Sequence, residues 1–162
     1  MIIRPAEPRD CAAICAFWNP MIRDSEVTFN SVTKSTDDLA AMIDQRNADG
    51  FCFLVAEIDD QVLGFATYSQ FRGGIGYART MEHTVILHPD AQGRGLGRAL
   101  MAAVEDHARD GGAHSIFAGV SSGNPAGVGF HTALGYEHVA TLNSVGYKFN
   151  RWFDLHLMQK RL

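Results

Sequence analysis

Residues 88 to 98 read His88-Pro89-Asp90-Ala91-Gln92-Gly93-Arg94-Gly95-Leu96-Gly97-Arg98. Three glycines at alternate positions favour neither a strand nor a helix interior, so a turn is expected here. The β-rich segment Thr80 to Leu87 runs into it, and Pro89 ends that strand. Leu96, Leu100, Ala103, Val104 and His107 leave the turn on one helical face, and Gly111-Gly112 closes the helix. The unit therefore places a helix N-terminus at the end of a strand. Free N–H groups and the positive dipole end converge there, and Arg94 and Arg98 add charge. That geometry suits a phosphate or pyrophosphate. The P-loop pattern fails, because no Lys-Ser or Lys-Thr follows the glycines. The Rossmann pattern fails too, because Arg98 stands where its third glycine belongs.

The hydrophobic period around this unit sets the fold class. Ile2 to Arg4 is a short extended start. Asp10 reads as a helix N-cap, followed by Ile14, Phe17, Trp18, Met21 and Ile22 at helical spacing. Ser35 with Asp38 three residues on starts a second helix, with Leu39, Met42 and Ile43 on its apolar side. The period then changes. Phe51 to Ile58 is a continuous apolar run, broken by Asp59-Asp60, and Val62 to Tyr68 is its hairpin partner. Arg72 to Gly76 reads as a flexible loop. Beyond the long helix, Ser115 to Val120 is a strand and Ala126 to Leu134 a short helix closed by Gly135. Tyr136 to Leu142 and Trp152 to Leu157 are the last strands, with a loop between them. This order predicts an α/β fold with a mixed sheet, not regular βα alternation.

Composition excludes other classes. With 162 residues, 46% hydrophobic and 20% charged, the chain fits one globular domain over 1–162. The net charge of −4 argues against a broad nucleic-acid surface. No apolar run reaches the length of a membrane helix, and no secretory signal opens the sequence, so neither membrane nor export is expected. Three cysteines without framework spacing point to a reducing, cytoplasmic compartment. Cys11 and Cys15 read as core residues, since no zinc-ligand spacing follows. His83 and His88 stand five apart, on opposite faces of a strand, so no metal is implied.

Taken together, the motifs resemble the GNAT acetyltransferase superfamily. Gln92-x-x-Gly95-x-Gly97 after a strand resembles its acyl-CoA signature. Asn124 with Phe130-His131-x-x-Leu134-Gly135-Tyr136 resembles the second signature, and Ile3-Arg4-x-Ala6-x-x-x-Asp10 the N-terminal start. Glu82-His83-Thr84-Val85-Ile86-Leu87 and the tail Val145-Gly146-Tyr147-Lys148-Phe149-x-Arg151-Trp152-x-Asp154 resemble the phosphinothricin and methionine-sulfoximine acetyltransferase branch. Asn150 stands where that branch usually has Gly, and Gly127 where Ser or Ala is usual.

The resemblance implies a single-domain fold whose mostly antiparallel sheet is splayed at the acyl-CoA site and flanked by helices. It implies acetyl-CoA as cosubstrate, held by Val85, Ile86, Leu87, Gln92, Gly93, Arg94, Gly95, Leu96, Gly97, Arg98 and Asn124. Glu82 is the implied base for the amine proton. His131 sits where most relatives carry a Tyr thought to protonate the leaving thiolate, and imidazole could act there as acid or base. The implied substrate wall is Phe29, Ile75, Gly76, Tyr77, Arg79, Glu82, His83, Thr84 and Lys148, with the 145–154 segment as a lid. The substrate implied is a small amino-acid-like amine, and the assembly a homodimer. Two alternatives stay open: a non-catalytic acyl-CoA sensor, and an enzyme acting on a protein N-terminus or a polyamine.

Overall fold

A computed structural model describes residues 1–162. The strands are β1 (Ile2–Pro5), β2 (Phe53–Ile58), β3 (Gln61–Gln70), β4 (Thr80–Leu87), β5 (Ser115–Ser121), β6 (Glu137–Lys148) and β7 (Arg151–Arg161). The helices are α1 (Cys11–Asp24), α2 (Thr36–Ala48), α3 (Leu96–Asp110) and α4 (Pro125–Ala133). One seven-stranded sheet runs in the order β1-β2-β3-β4-β5-β7-β6. All neighbours are antiparallel except β4 and β5.

Two cores lie on opposite faces of this sheet. Ile14, Phe17, Trp18 and Ile22 of α1, with Leu39 and Ile43 of α2, pack on Phe53, Val55, Phe65 and Ile86. Leu96, Leu100, Met101 and Val104 of α3 pack on Leu63, Ala66, Met81 and Ile116. The continuous apolar run in β2 is thus explained by helices on both sides. The alternation of β4 is decisive for the site. Met81 belongs to the α3 core and Ile86 to the α1–α2 core, so Glu82 and Thr84 share the face of α1, and His83 shares the face of α3 and α4.

Three local expectations are corrected. Asp10 precedes α1 but makes no side-chain cap. Its carboxylate instead accepts from Arg4 Nη1 at 2.7 Å and from the Glu7 N–H at 2.8 Å. Ser35, by contrast, forms the expected capping box with Asp38. The expected loop between Leu142 and Trp152 does not exist. β6 continues to Lys148 and turns through Phe149 and Asn150, at φ +53° and +57°, directly into β7. Two positive φ values suit the tight turn of a hairpin. His107, expected on the apolar face of α3, is exposed at its rim, where Nδ1 meets the Tyr68 hydroxyl at 2.8 Å.

Candidate active site

Strand β4 pairs with β3 along its length, from Met81 opposite Gln70 to Leu87 opposite Gly64. On its other edge, pairing with β5 stops after Glu82 opposite Phe117. The sheet opens beyond that point. The parity of the backbone decides which groups are left free. His88 N–H donates to Leu63 O at 2.8 Å and Phe71 N–H to Thr80 O at 2.9 Å, so even-numbered residues turn toward β3. His114 N–H donates to Arg79 O at 2.8 Å, so odd-numbered residues turn toward β5. Val85 and Leu87 therefore present N–H and C=O groups to the opening, as an unpaired edge for an extended ligand. Ile86 turns its backbone to β3 and its side chain into the α1–α2 core.

The glycine-rich turn lies at the end of this edge, and its three glycines do different work. Gly93 and Gly95 have φ of +73° and +78°, and nothing lies within 4 Å of where a Cβ would stand. They form an open cradle, with Gly95 as the left-handed N-cap of α3. Gly97 is a packing residue. A Cβ there would lie 2.9 Å from the Phe130 ring and 3.1 Å from Leu87 Cδ1. Leu96 is buried beneath the turn, whereas Gln92, Arg94 and Arg98 are exposed around it. The free first-turn N–H groups of α3, the two open glycines and the adjacent arginines suit a pyrophosphate joined to an extended arm along β4.

A cavity of about 220 Å³ sits at the opening, lined by Trp18, Val27, Thr28, Thr84, Val85, Gly119, Asn124 and His131 among others. A larger cleft of about 640 Å³, between Arg4, Asp10, Glu57 and His88, reaches the glycine-rich turn at Asp90 and Arg94. Its central Arg4 is already paired to Asp10 and Glu57, so its main charge is spent within the fold. The smaller cavity brings the open edge of β4, Thr84, Asn124 and His131 to one place.

Glu82 is half-buried on the α1 side, against Gly119, where a Cβ would stand 3.1 Å from Oε1. Burial raises its pKa above the ordinary carboxylate value. On the other face, His131 Nδ1 lies 2.7 Å from Gly127 O. The carbonyl can only accept, which assigns the proton to Nδ1 and leaves Nε2 with a lone pair. Nε2 has no partner, and burial lowers the pKa of this imidazole. His131 is therefore a neutral acceptor at rest. It must take a proton before it can give one. His83 stacks beside it at 5.0 Å, with both ring nitrogens unpartnered. Burial, and secondarily His131, pushes its pKa down to about 3.

Asn124 caps α4 by accepting the Gly127 N–H at 3.0 Å. The glycine is needed for this, since a Cβ would lie 2.5 Å from Asn124 Nδ2. The acetyltransferase (GNAT) family model matches residues 18–136. The chain belongs to this family. It is 40% identical over its whole length to an L-amino acid N-acyltransferase of Escherichia coli, covering 94% of that protein. It is 39% identical over its whole length to an L-methionine sulfoximine/L-methionine sulfone acetyltransferase of Salmonella typhimurium, covering 95% of it. Among solved structures, a Salmonella typhimurium acetyltransferase with its cofactor acetyl-CoA superposes at a TM-score of 0.94, with 39% identity, 100% of this chain and 94% of that one. A ribosomal-protein-alanine N-acetyltransferase from Brucella melitensis superposes at 0.95, with 36% identity and full coverage of both chains.

In this acetyltransferase the expected substrate wall is only partly assembled. His83 and Thr84 line the cavity, and Glu82 adjoins it through Gly119. Phe29 does not line it; its ring packs on Gly146 and on Phe153 at 5.8 Å. Its neighbours Val27 and Thr28 take that place. Ile75, Gly76, Tyr77 and Arg79 are exposed and do not line this cavity. Lys148 does not reach the cavity either. It is 5% exposed, and its ammonium is bound to backbone carbonyls. The expected lid at 145–154 is a strand pair. Sequence reasoning missed Gly119, although an isolated glycine inside a strand signals close approach. It also missed Trp18, Val27 and Thr28, which no local pattern distinguishes from core and loop.

Proposed function

We propose that this acetyltransferase moves the acetyl group of acetyl-CoA to the α-amino group of a small amino-acid-like substrate, with methionine sulfoximine and methionine sulfone foremost and phosphinothricin next. The observation that carries the reading is the opened edge of β4, with Glu82 on one face and His131 on the other. The cavity size and the activities of the Escherichia coli and Salmonella typhimurium relatives support the small substrate.

The chemistry follows from the chain's own groups. Glu82 takes a proton from the substrate ammonium and leaves the amine nucleophilic. The Val85 or Leu87 N–H, free at the open edge, donates to the thioester oxygen as charge develops there. As the C–N bond forms and the C–S bond breaks, the nitrogen sheds its second proton to His131 Nε2. His131 then passes that proton to the thiolate sulfur. Glu82 releases its proton to water, so one proton leaves for each acetyl group transferred. Raised basicity at Glu82 and a neutral His131 both serve this sequence near neutral pH.

We also propose a cytoplasmic homodimer. Three free cysteines support a reducing compartment. β6 is an edge strand, and with the turn and β7 it exposes Val145 (51%), Tyr147 (56%), Phe149 (50%) and Trp152 (61%). Four large apolar side chains on one hairpin favour a two-fold seam. A Trp152→Asp variant that stays dimeric in sedimentation at micromolar concentration would remove that seam.

A second reading, an enzyme acting on a protein N-terminus, is favoured by the similarity to the ribosomal-protein-alanine N-acetyltransferase of Brucella melitensis. Thiol release from acetyl-CoA across a panel of amino acids, polyamines and a peptide with N-terminal alanine tests both. The expected result is turnover with methionine sulfoximine or sulfone and little with the peptide. The opposite preference would replace the first reading with the second, and binding without any turnover would replace both with an acyl-CoA sensor.

A further inference from the structure

Segment 25–30, between α1 and α2, has no helix or strand of its own, yet Val27 and Thr28 wall the amine side of the cavity. What holds it is on the far side of the fold. Lys148 Nζ donates to Ile22 O at 2.6 Å, Ser25 O at 2.7 Å, Thr28 O at 2.8 Å and Asn30 O at 3.0 Å. An ammonium has three protons, so one is shared between two of these four acceptors. All four are neutral carbonyls, and no carboxylate is bonded to the cation. Ile22 O belongs to the last turn of α1, where carbonyls lack donors within the helix. Lys148 thus closes that helix end from 126 residues away and turns three loop carbonyls to the same point.

The rest of hairpin β6–β7 holds the back of the same segment. The Phe29 ring lies flat against Gly146, where no Cβ could fit, and meets Phe153. Arg151 pairs with Glu26, which itself covers Gly123. Lys148 and Gly146 point to the segment, while Val145, Tyr147 and Phe149, alternating with them, point outward.

We propose that Lys148 is a positioning residue for the amine substrate: its ammonium gathers the 22–30 carbonyls so that Val27 and Thr28 form the pocket wall. Without those donors, four convergent carbonyl dipoles repel one another and turn to water, and the wall moves with them. The acetyl-CoA side of β4 shares none of these contacts, so only the amine side responds. The kinetic part of this inference rests on the acetyltransferase reading above.

The test is Lys148→Met in the full chain, measured three ways. Amine KM should rise about tenfold or more, in line with the loss of several buried charge-assisted bonds. Acetyl-CoA affinity by calorimetry should stay that of the wild type. Hydrogen exchange at amides 25–30 should accelerate. Lys148→Arg, which keeps charge and donors, should recover part of the protection and of the amine KM. Unchanged amine KM with unchanged exchange would overturn the proposal, as would equal losses of amine and acetyl-CoA binding, which mark general damage. If Lys148→Met does not fold, Lys148→Gln, with two donors and no charge, reads the same split. A wild type that acetylates no amine would end the functional reading alone. Exchange at 25–30 would then decide the clamp by itself: faster exchange in the variant supports it, and unchanged exchange overturns it.

Discussion

The two sides of strand β4 are built by different means. On the proposed acetyl-CoA side the groups are backbone: the free edge at Val85 and Leu87, the open glycines Gly93 and Gly95, and the first turn of α3. Consecutive residues supply nearly all of them. On the proposed amine side the groups are side chains from distant segments: Glu82 from β4, Val27 and Thr28 from a loop, and Lys148 holding that loop from β6. A ligand shared by a whole family can be held by backbone, which is indifferent to side-chain change. A ligand that varies between relatives needs parts that can vary separately. Substitutions on one side should therefore leave the other side's ligand largely untouched.

The largest break expected is in turnover. Glu82→Gln keeps the shape and removes the basicity, and a general base contributes about 10²–10⁴-fold in rate. Glu82 has a raised pKa in the fold, so its ionised form costs stability once pH exceeds that value. Removing the charge should not lower Tm at neutral pH. The rise of wild-type kcat/KM with pH, displaced above the ordinary carboxylate range, should vanish in the variant.

On the other side, Gly95→Val places a β-branched residue at φ +78° and a side chain in the cradle. Acetyl-CoA affinity should fall about tenfold or more, equivalent to about 1.4 kcal/mol. Amine KM at saturating acetyl-CoA should change little. Titration calorimetry and initial rates separate the two.

This division also explains what was legible in the sequence. The turn, the strand before it and the helix after it were readable because glycine spacing and hydrophobic period are local signals. Phe51 to Ile58 and the Ser35 box were readable for the same reason. Asp10 was misread because Arg4 and Glu7 claim its carboxylate. β6 was cut short because beyond Leu142 its buried positions are Gly146 and Lys148 and its outward ones Val145 and Tyr147, the reverse of an apolar-inward alternation. Its pairing with β7 also shifts register near Ser144, whose N–H donates to Asp154 at 2.8 Å. Phe149 at positive φ is not a residue that announces a turn. Lys148 is expected in the substrate wall, and its four acceptors, more than a hundred residues upstream, leave no local signal of the role it has in the fold.

A smaller effect concerns the stability of the fold. The pKa of His83 is near 3 in the fold against 6.5 ordinarily. A depressed value stabilises the fold above about pH 6.5, and that contribution is lost as pH falls toward 3. Wild-type Tm should drop by a few degrees between pH 7 and pH 5, and His83→Phe should flatten that drop. The smallest expected effect is at Gly97. Gly97→Ala overpacks Phe130, at about 1–3 kcal/mol, and recovers up to about 1 kcal/mol of helix propensity. Denaturant titration should show a net loss near 1 kcal/mol.

The division between the two sides is tested most directly by titrating acetyl-CoA into Glu82→Gln in a calorimeter. If Glu82 serves only the amine, the dissociation constant will match that of the wild type while turnover has collapsed. A loss of acetyl-CoA affinity as large as that of Gly95→Val would contradict the account, because one carboxylate would then be holding both ligands.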